Sequence, residues 1–222
     1  MAESLEQAWE LNQKGRNNII IGGNLWLKMG RRNIINAIDL SSLGLDKIEE
    51  DEGGFRIGCM ATLHDIETHE GLNKEFQNLF KEAVRHIVGV QFRNCATIGG
   101  SIFPKLGFSD VLTAFLACDT QVILYKKGEV PLREFIYIPT DNDILTHLYV
   151  KKDGRKTSYE SLRMTETDFP TITYAVEKTQ DGFETVLGAR PKHAEVVVDE
   201  VVADAFSSEE VADYAKRVIG KF

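Results

Sequence analysis

Two glycine pairs, each beside a short β-branched run, limit the possible folds of this chain more than any other feature. Gly22-Gly23 halts the apolar run 18–21, and Gly99-Gly100 follows Ala96-Thr97-Ile98. Such runs are typical of buried strands that enter tight turns. Glycine also lets the backbone approach a ligand closely and adopt φ > 0, so that successive N–H groups can bind one anion. Either pair alone fits a plain turn, but the two together predict an anion site in a protein of mixed helix and strand.

The charge balance argues against a nucleic-acid partner. The 222 residues include 26 Lys and Arg against 34 Asp and Glu, a net charge of −8, whereas nucleic-acid binding draws on dense positive charge. A hydrophobic content of 43% fits one large or two unequal globular domains. No apolar run approaches the roughly 18–20 residues of a membrane span, and the opening MAESLEQAWE has no basic and apolar signal segment. We therefore expect a cytoplasmic protein without a membrane partner.

Apolar periodicity and turn signals predict interleaved helices and strands. Ser4 and Gln7 have capping-box spacing, which predicts a helix that ends near Gly15. The other predicted elements are strands over 18–21, 34–40, 55–59, 121–125 and 144–150, helices over 62–69 and 74–88, a strand pair over 171–177 and 184–187, and a closing helix after 207–210.

Two changes in composition divide the chain. Gly53-Gly54 breaks an acidic stretch, and the polar segment 151–157 is typical of a linker. We therefore predict three consecutive domains, over 1–52, 53–152 and 153–222.

The residue types that usually carry chemistry are scattered. Cys59, Cys95 and Cys118 form no C-x-x-C pair, so this chain alone is not expected to hold an iron–sulfur cluster. His64 and His69 stand five positions apart, which does not suit a zinc pair on one helix face. The sequence has neither a P-loop nor a G-x-G-x-x-G motif. We predict no metal site and no catalytic residue, and nucleotide binding would require another fold.

One longer motif carries a resemblance to a known family. Residues 91–102 read QFRNCATIGGSI, which is similar to the Q-x-R-N-x-A-T-I-G-G-N-I of the FAD-binding subunits of molybdenum hydroxylases, such as the medium subunits of xanthine dehydrogenase and carbon monoxide dehydrogenase. Shorter matches follow the family's order at 57–62, 109–110, 130–135 and 167–170. The resemblance implies an α+β protein: a two-subdomain FAD-binding fold of the p-cresol-methylhydroxylase type, followed by a small α+β C-terminal domain.

The resemblance also implies a set of cofactor contacts. Backbone N–H groups of both glycine loops would hold the FAD pyrophosphate, and Asp110 would bind the adenosine ribose, although it could equally cap the apolar helix over 111–117. The implied FAD-binding residues are Ile21, Gly22, Gly23, Asn24, Leu25, Ile87, Thr97, Ile98, Gly99, Gly100, Ser101, Ser109, Asp110, Leu145 and Arg163.

Three of these residues match family positions that lie against the flavin. Arg163 stands where a basic residue often approaches the pyrimidine end of the ring, and a cation there would favour the charge of reduced flavin. Core packing explains Ile87 and Leu145 as well, and a solvated strand position explains Arg163. The chain departs from the family pattern in lacking a Thr-Asp pair after Gly22-Gly23 and in the bulky stretch 103–108.

The function implied by the resemblance is electron transfer. Electrons from [2Fe–2S] clusters would pass through FAD to NAD+ or another acceptor. The implied partners are a molybdopterin-binding large subunit and a [2Fe–2S] small subunit. Two alternatives remain open from the residues alone, namely an assembly subunit that has lost flavin and a self-sufficient flavin oxidase of the p-cresol-methylhydroxylase type.

Overall fold

The fold consists of three sheets with helices between them. A computed structural model describes residues 1–139, 141–179, 182–189 and 194–199. Its strands are β1 (Asn18–Ile21), β2 (Asn36–Asp39), β3 (Ile48–Glu50), β4 (Gly54–Gly58), β5 (Thr120–Leu124), β6 (Gly128–Pro131), β7 (Leu145–Lys151), β8 (Lys156–Arg163), β9 (Pro170–Thr179), β10 (Gly182–Gly188) and β11 (Glu195–Asp199). Its α-helices are α1 (Leu5–Gln13), α2 (Leu25–Met29), α3 (Leu63–Thr68), α4 (Glu70–Glu75), α5 (Leu79–Val84), α6 (Val90–Arg93), α7 (Ile98–Ile102), α8 (Asp110–Leu116) and α9 (Leu132–Phe135).

The first unit contains α1 and the parallel pair β1 and β2. Ser4 caps α1, since its side chain accepts a hydrogen bond from the Gln7 N–H at 3.1 Å. Strand β1 pairs with β2 in parallel, from Asn18 opposite Asn36 to Ile21 opposite Asp39. The predicted helix and both predicted strands of this unit are confirmed. Gly22-Gly23 follow β1 directly, so this glycine pair lies at the carboxyl end of a parallel strand.

The second unit is an antiparallel sheet in the order β3-β4-β7-β5-β6. Phe55 and Ile57 of β4 and Leu148 of β7 are fully buried, and the Phe80 and Phe115 rings of the covering helices lie 4.6 Å apart. Strand β3, which precedes the predicted domain boundary at residue 52, already belongs to this sheet. The division into domains therefore stays a prediction.

The single helix predicted over 74–88 is wrong. The chain forms α4 and α5 instead, because Gln77 and Asn78 adopt left-handed φ values of 47° and 64°. The Asn73 side chain accepts a hydrogen bond from the Lys81 N–H at 3.1 Å, and Gln77 Oε1 accepts one from the Thr157 N–H at 2.7 Å. Contacts from outside the helix thus stabilise a break that apolar periodicity does not reveal.

The third sheet has the antiparallel order β11-β10-β9-β8 and covers α5 and α8. The predicted strand pair is confirmed as β9 and β10, and the connection predicted over 151–157 is shorter, since only 152–155 lie between β7 and β8. Lys151 ends β7, and Lys156 and Thr157 already belong to β8, where the Thr157 hydroxyl donates to the Phe76 carbonyl at 2.7 Å. The predicted closing helix lies outside the described residues. Within the described part of the chain, no helix reaches the length and apolarity that a membrane crossing requires.

A buried group of charges joins the second and third units. Glu177 of β9 is 1% exposed and is bound by both Arg133 of α9 and Arg155, which precedes β8. Arg133 also reaches Glu184 at 2.6 Å, the residue directly opposite Glu177 on β10. Burial, and next the hydrogen bond with Glu184, raise the pKa of Glu177 to about 7, while both arginines oppose the rise. The charge state of Glu177 therefore depends on Glu184 and on both arginines.

The raised pKa of Glu177 predicts a decline of stability with pH. The folded state holds this proton more tightly than the unfolded chain does, so its contribution to the free energy of unfolding is present below the ordinary Glu pKa and is lost as pH rises through about 7. We expect urea unfolding between about pH 5 and about pH 8 to show this decline, and Glu177→Gln to remove it. Identical pH profiles in both proteins would contradict the prediction.

A buried hydroxyl gives a second stability prediction. Thr185 Oγ1 of β10 is the buried side-chain oxygen or nitrogen without a hydrogen-bond partner among the described residues. Thr185→Val removes this uncompensated polar group, so we expect the protein to gain about 1 kcal/mol in the free energy of unfolding. Thr113→Val is the matched control, because Thr113 Oγ1 lies 2.9 Å from Thr173 Oγ1 and the substitution should destabilise the protein. Thermal unfolding that ranks the two variants in the opposite order would refute this.

Candidate functional site

The two glycine loops lie against each other. A Cβ added at Gly22 would collide with Thr97 Oγ1, and one added at Gly23 would collide with the Cys95 carbonyl oxygen. Loops that are more than 70 positions apart in the sequence therefore meet at a contact that only glycine permits. The predicted convergence of the two loops is present in the structure.

Glycine serves close approach here rather than positive φ. Neither Gly22-Gly23 nor Gly99-Gly100 has a left-handed φ; the residue that does is Asn24, at φ 60° and ψ 10°. Asparagine tolerates this region better than most side chains. A Cβ on Gly99 would lie 2.9 Å from the Cys59 carbonyl oxygen, so this glycine packs α7 against the end of β4. The expectation that these glycines supply φ > 0 is wrong.

The second loop is fixed by hydrogen bonds to the segment that follows β4. The N–H groups of Ile98 and Gly99 donate to the carbonyls of Ala61 and Cys59 at 2.9 and 2.7 Å. The Gly100 N–H donates to Thr97 Oγ1 at 3.2 Å. These three N–H groups are already paired within the protein, so the loop is rigid before any ligand binds.

Other backbone donors at the contact are unpaired. Among the described residues, no acceptor takes a hydrogen bond from the N–H groups of Gly22, Gly23, Asn24 or Thr97. Unpaired N–H groups on adjoining turns bind an anion with several oxygens, such as a pyrophosphate. The donor set that the structure offers is therefore centred on the first loop and Thr97.

Arg93, within the QFRN part of the motif, has a structural role. Its guanidinium binds both carboxylate oxygens of Glu67, at 2.8 and 3.0 Å, and donates to the carbonyls of Arg85 and Ile87 at 3.3 and 3.2 Å. Between these carbonyls and α6, Val88 adopts φ 51°, which is unfavourable for a β-branched residue. Arg93 thus holds a strained turn beside Ile87, one of the predicted flavin contacts.

Asp110 lies in a buried polar cluster formed with strand β8. Ser109 caps α8, since its Oγ accepts from the Leu112 N–H at 3.1 Å; the alternative interpretation of Asp110 as the N-cap is therefore wrong. Asp110 is 5% exposed, and its Oδ1 accepts a hydrogen bond from the Tyr159 hydroxyl at 2.5 Å and one from Arg163 Nη2. Sequence reasoning missed Tyr159.

Burial dominates the electrostatics of this cluster. It raises the pKa of Asp110, while the Tyr159 hydrogen bond and the Arg163 charge oppose the rise. Burial and the neighbouring carboxylate also raise the pKa of Tyr159 well above its ordinary value, so this hydroxyl stays protonated and donates. The carboxylate and guanidinium form a buried ion pair.

This ion pair bears on the predicted contacts of Asp110 and Arg163. The resemblance assigns them to the adenosine ribose and to the flavin pyrimidine, which lie on opposite sides of the FAD pyrophosphate. The two side chains are in direct contact, so they face the same part of any bound FAD while the pair is intact. The assignment of either residue to a particular part of FAD stays a prediction.

The other predicted residues surround the second loop. Leu145 begins β7 and is buried; the next residue, Thr146, accepts the Cys59 N–H at 2.8 Å, and Cys59 in turn contacts Gly99. Ser101 Oγ donates to the Thr97 carbonyl at 3.0 Å, and Ser109 Oγ lies 3.4 Å from the Ser101 carbonyl. These hydrogen bonds connect α7 and α8, and so connect the second loop with Asp110.

An aromatic cluster joins the same segments from the solvent side. Trp26 of α2, Phe108 before α8 and Phe169 before β9 have ring centroids 5.0 to 5.8 Å apart. Trp26 and Phe169 are exposed. The bulky stretch 103–108, noted as a departure from the family pattern, supplies one ring of this cluster. Its contact with α2 could not be predicted, because α2 itself has no clear sequence signal.

Two surface cavities lie away from the glycine loops. Cavities of about 600 and 670 Å³ are formed mainly by α3, α4 and α5, and none of the predicted cofactor contacts lines them. The described residues contain no cluster of three or more His, Cys, Asp or Glu side chains that could hold a metal ion. The converging loops and their unpaired donors therefore define the candidate site.

A family of known proteins matches most of the chain. The family model described as "FAD binding domain in molybdopterin dehydrogenase" matches residues 1–150. This range includes both glycine loops, α8 and the second sheet.

Individual relatives extend the similarity beyond residue 150. The uncharacterized protein YgfM of Escherichia coli (strain K12) is 26% identical over 189 residues, covering 83% of this chain and 71% of the relative. The glyceraldehyde dehydrogenase medium chain of Sulfolobus acidocaldarius is 25% identical over 239 residues, covering 98% of this chain and 85% of the relative.

A solved structure supports the fold. Quinoline 2-oxidoreductase from Pseudomonas putida 86 superimposes with a TM-score of 0.84 at 16% identity, over 97% of this chain and 82% of that chain. The predicted fold class is therefore confirmed. Because the family model covers well over half of the sequence, the chain belongs to the FAD-binding domains of the molybdopterin dehydrogenases and is an FAD-binding flavoprotein subunit of an oxidoreductase.

Proposed function

We propose that the unpaired N–H groups of Gly22, Gly23, Asn24 and Thr97 bind the FAD pyrophosphate. The observation that carries this proposal is the contact between the two glycine loops, which brings these donors together without any cationic side chain. Backbone donors suit a protein with a net charge of −8, because an anion can then be held locally. A pyrophosphate has enough oxygens to accept from several of them.

We further propose that FAD extends from the loops to the Asp110 and Arg163 pair, and that Ile87 and Leu145 lie against the flavin. Arg163 keeps guanidinium hydrogens beyond those used on Asp110, Ser161 and the Asp168 carbonyl, so it can also donate to a ligand. The bound FAD supplies the redox chemistry, and the protein supplies its orientation and electrostatic surroundings.

The proposed electron path begins and ends outside this chain. Electrons would arrive from [2Fe–2S] clusters of a small subunit, which a molybdopterin-binding large subunit reduces, and would leave through FAD to NAD+ or another acceptor. The relative named as a dehydrogenase medium chain supports a multisubunit assembly. In this chain, burial raises the pKa of Cys59 to about 12 and raises that of Cys118 as well. Both residues are therefore poor thiolate ligands for a cluster.

The spectrum of the purified chain tests FAD binding and the acceptor. We expect the absorbance of oxidised flavin, either as isolated or after addition of FAD, and anaerobic bleaching by NADH without an organic substrate. A colourless protein that takes up no FAD would overturn the proposal. Flavin that binds but resists NADH would exclude NAD+ as the acceptor and leave FAD binding intact.

A substitution at the loop contact tests the geometry. In Gly23→Ala, the new Cβ must displace the Cys95 carbonyl, so we expect a loss of about 1–3 kcal/mol in stability and a clear loss of FAD affinity. Gly15→Ala is the control, since its Cβ would meet no atom within 4 Å. Its stability should stay within about 0.5 kcal/mol of wild type, with unchanged affinity. FAD titration and thermal unfolding of both variants give the comparison; equal behaviour would disprove the role of the contact.

A further inference from the structure

One oxygen of the Asp110 carboxylate accepts two hydrogen bonds, and the other accepts none from the side chains of the described neighbours. Oδ1 accepts from both Tyr159 and Arg163, whereas Oδ2 accepts no hydrogen bond from another described residue. The residue is 5% exposed, so water reaches little of it. Oδ2 is not among the fully buried side-chain oxygens that lack a partner, so it borders solvent and keeps acceptor capacity for a donor from a ligand.

We propose that Tyr159 is a positioning residue of the cofactor site, which fixes Oδ1 of Asp110 so that Oδ2 faces an O–H or N–H donor of FAD. This inference rests on the proposed function, because it requires FAD to extend from the glycine loops to α8. It adds a residue that lies outside the range 1–150 matched by the family model.

Tyr159 is suited to this task by its own fixed position. It lies on β8 opposite Ala175 of β9 and is 7% exposed, so strand pairing and packing hold its ring. A tyrosine has few rotatable bonds, and its hydroxyl can be aimed at little cost in conformational entropy. Because burial keeps the phenol protonated, it remains a donor over the physiological range.

Arg163 supplies a positive charge to the same oxygen. Its guanidinium also donates to the Asp168 carbonyl and to Ser161 Oγ, so it links the exposed end of β8 with the cluster. Tyr159 and Arg163, both from β8, are the titratable groups that face Asp110 from the described elements packed on it. The orientation of the carboxylate is therefore set by these two side chains together.

Tyr159→Phe is the direct test, since it keeps the ring and removes the hydroxyl. In the full chain, we expect the Kd for FAD to rise about tenfold, as for the loss of one hydrogen bond to a charged group. Tyr174→Phe is the matched control. Its hydroxyl donates to Glu160 at the same 2.5 Å within the same sheet but does not touch Asp110, so FAD affinity should be unchanged.

A double-mutant cycle separates positioning from general stability. Asp110→Asn should itself weaken FAD, and in that background Tyr159→Phe should cost no further affinity, because both act through one carboxylate. An equal loss in both backgrounds, or no loss from Tyr159→Phe alone, would overturn the inference. Unchanged affinity in Asp110→Asn would also overturn it, because the inference requires Asp110 to contact FAD. Wild-type protein that fails to bind FAD would instead overturn the proposed function.

Two further measurements test the orientation of the Asp110 carboxylate. Asp110→Glu keeps the charge but displaces the oxygens by one methylene, so FAD affinity should fall; full affinity would show that the aim is unimportant. The pH profile gives the other. As pH is lowered, Asp110 becomes protonated and FAD affinity should fall. In Tyr159→Phe, loss of the hydrogen bond raises the pKa of Asp110 further, so this fall should begin at a higher pH than in wild type. Superimposable profiles would count against the inference.

Discussion

The arrangement of this protein depends on one close contact between its two glycine loops, which is possible because glycine has no Cβ. Gly23 lies against the Cys95 carbonyl and Gly22 against Thr97, so the end of β1 and the start of α7 share one boundary. The first loop leads on into α2 and its Trp26, and the second into α7 and α8. The aromatic cluster, Asp110 and the unpaired N–H groups all lie on segments connected to this contact.

Hydrogen bonds divide the work between the two loops. Three N–H groups of the second loop donate hydrogen bonds to Ala61, Cys59 and Thr97, and these hydrogen bonds make the loop rigid. The first loop keeps its donors free and turns at Asn24. A preformed loop beside unpaired donors lowers the entropy lost when a ligand binds, because little of the backbone must still be ordered.

The sequence sufficed for the fold class, for most strands and for the meeting of the two loops, because local runs and a long motif carry those signals. It did not suffice where residues distant in the sequence determine the local conformation or the pairing of a side chain. The break at Gln77 and Asn78 depends on Thr157, and β8 was taken in part for a linker because its first residues are polar. The pairing of Asp110 with Tyr159 and Arg163 joins residues about 50 positions apart, for which a single sequence offers no pattern. The preference for glycine was predicted correctly, but its cause is contact rather than φ.

The break between α4 and α5 has a consequence for the size of the cooperative unit. Its left-handed residues are held by β8, through the Thr157 N–H and hydroxyl on Gln77 and Phe76. The helical layer beneath the second sheet therefore takes its shape from a strand that follows the segment matched by the family model. A fragment that ends at residue 150 would lose these hydrogen bonds, so the break between α4 and α5 would lose its support. The residues that depend on one another for their fold therefore extend beyond the range 1–150 matched by the family model.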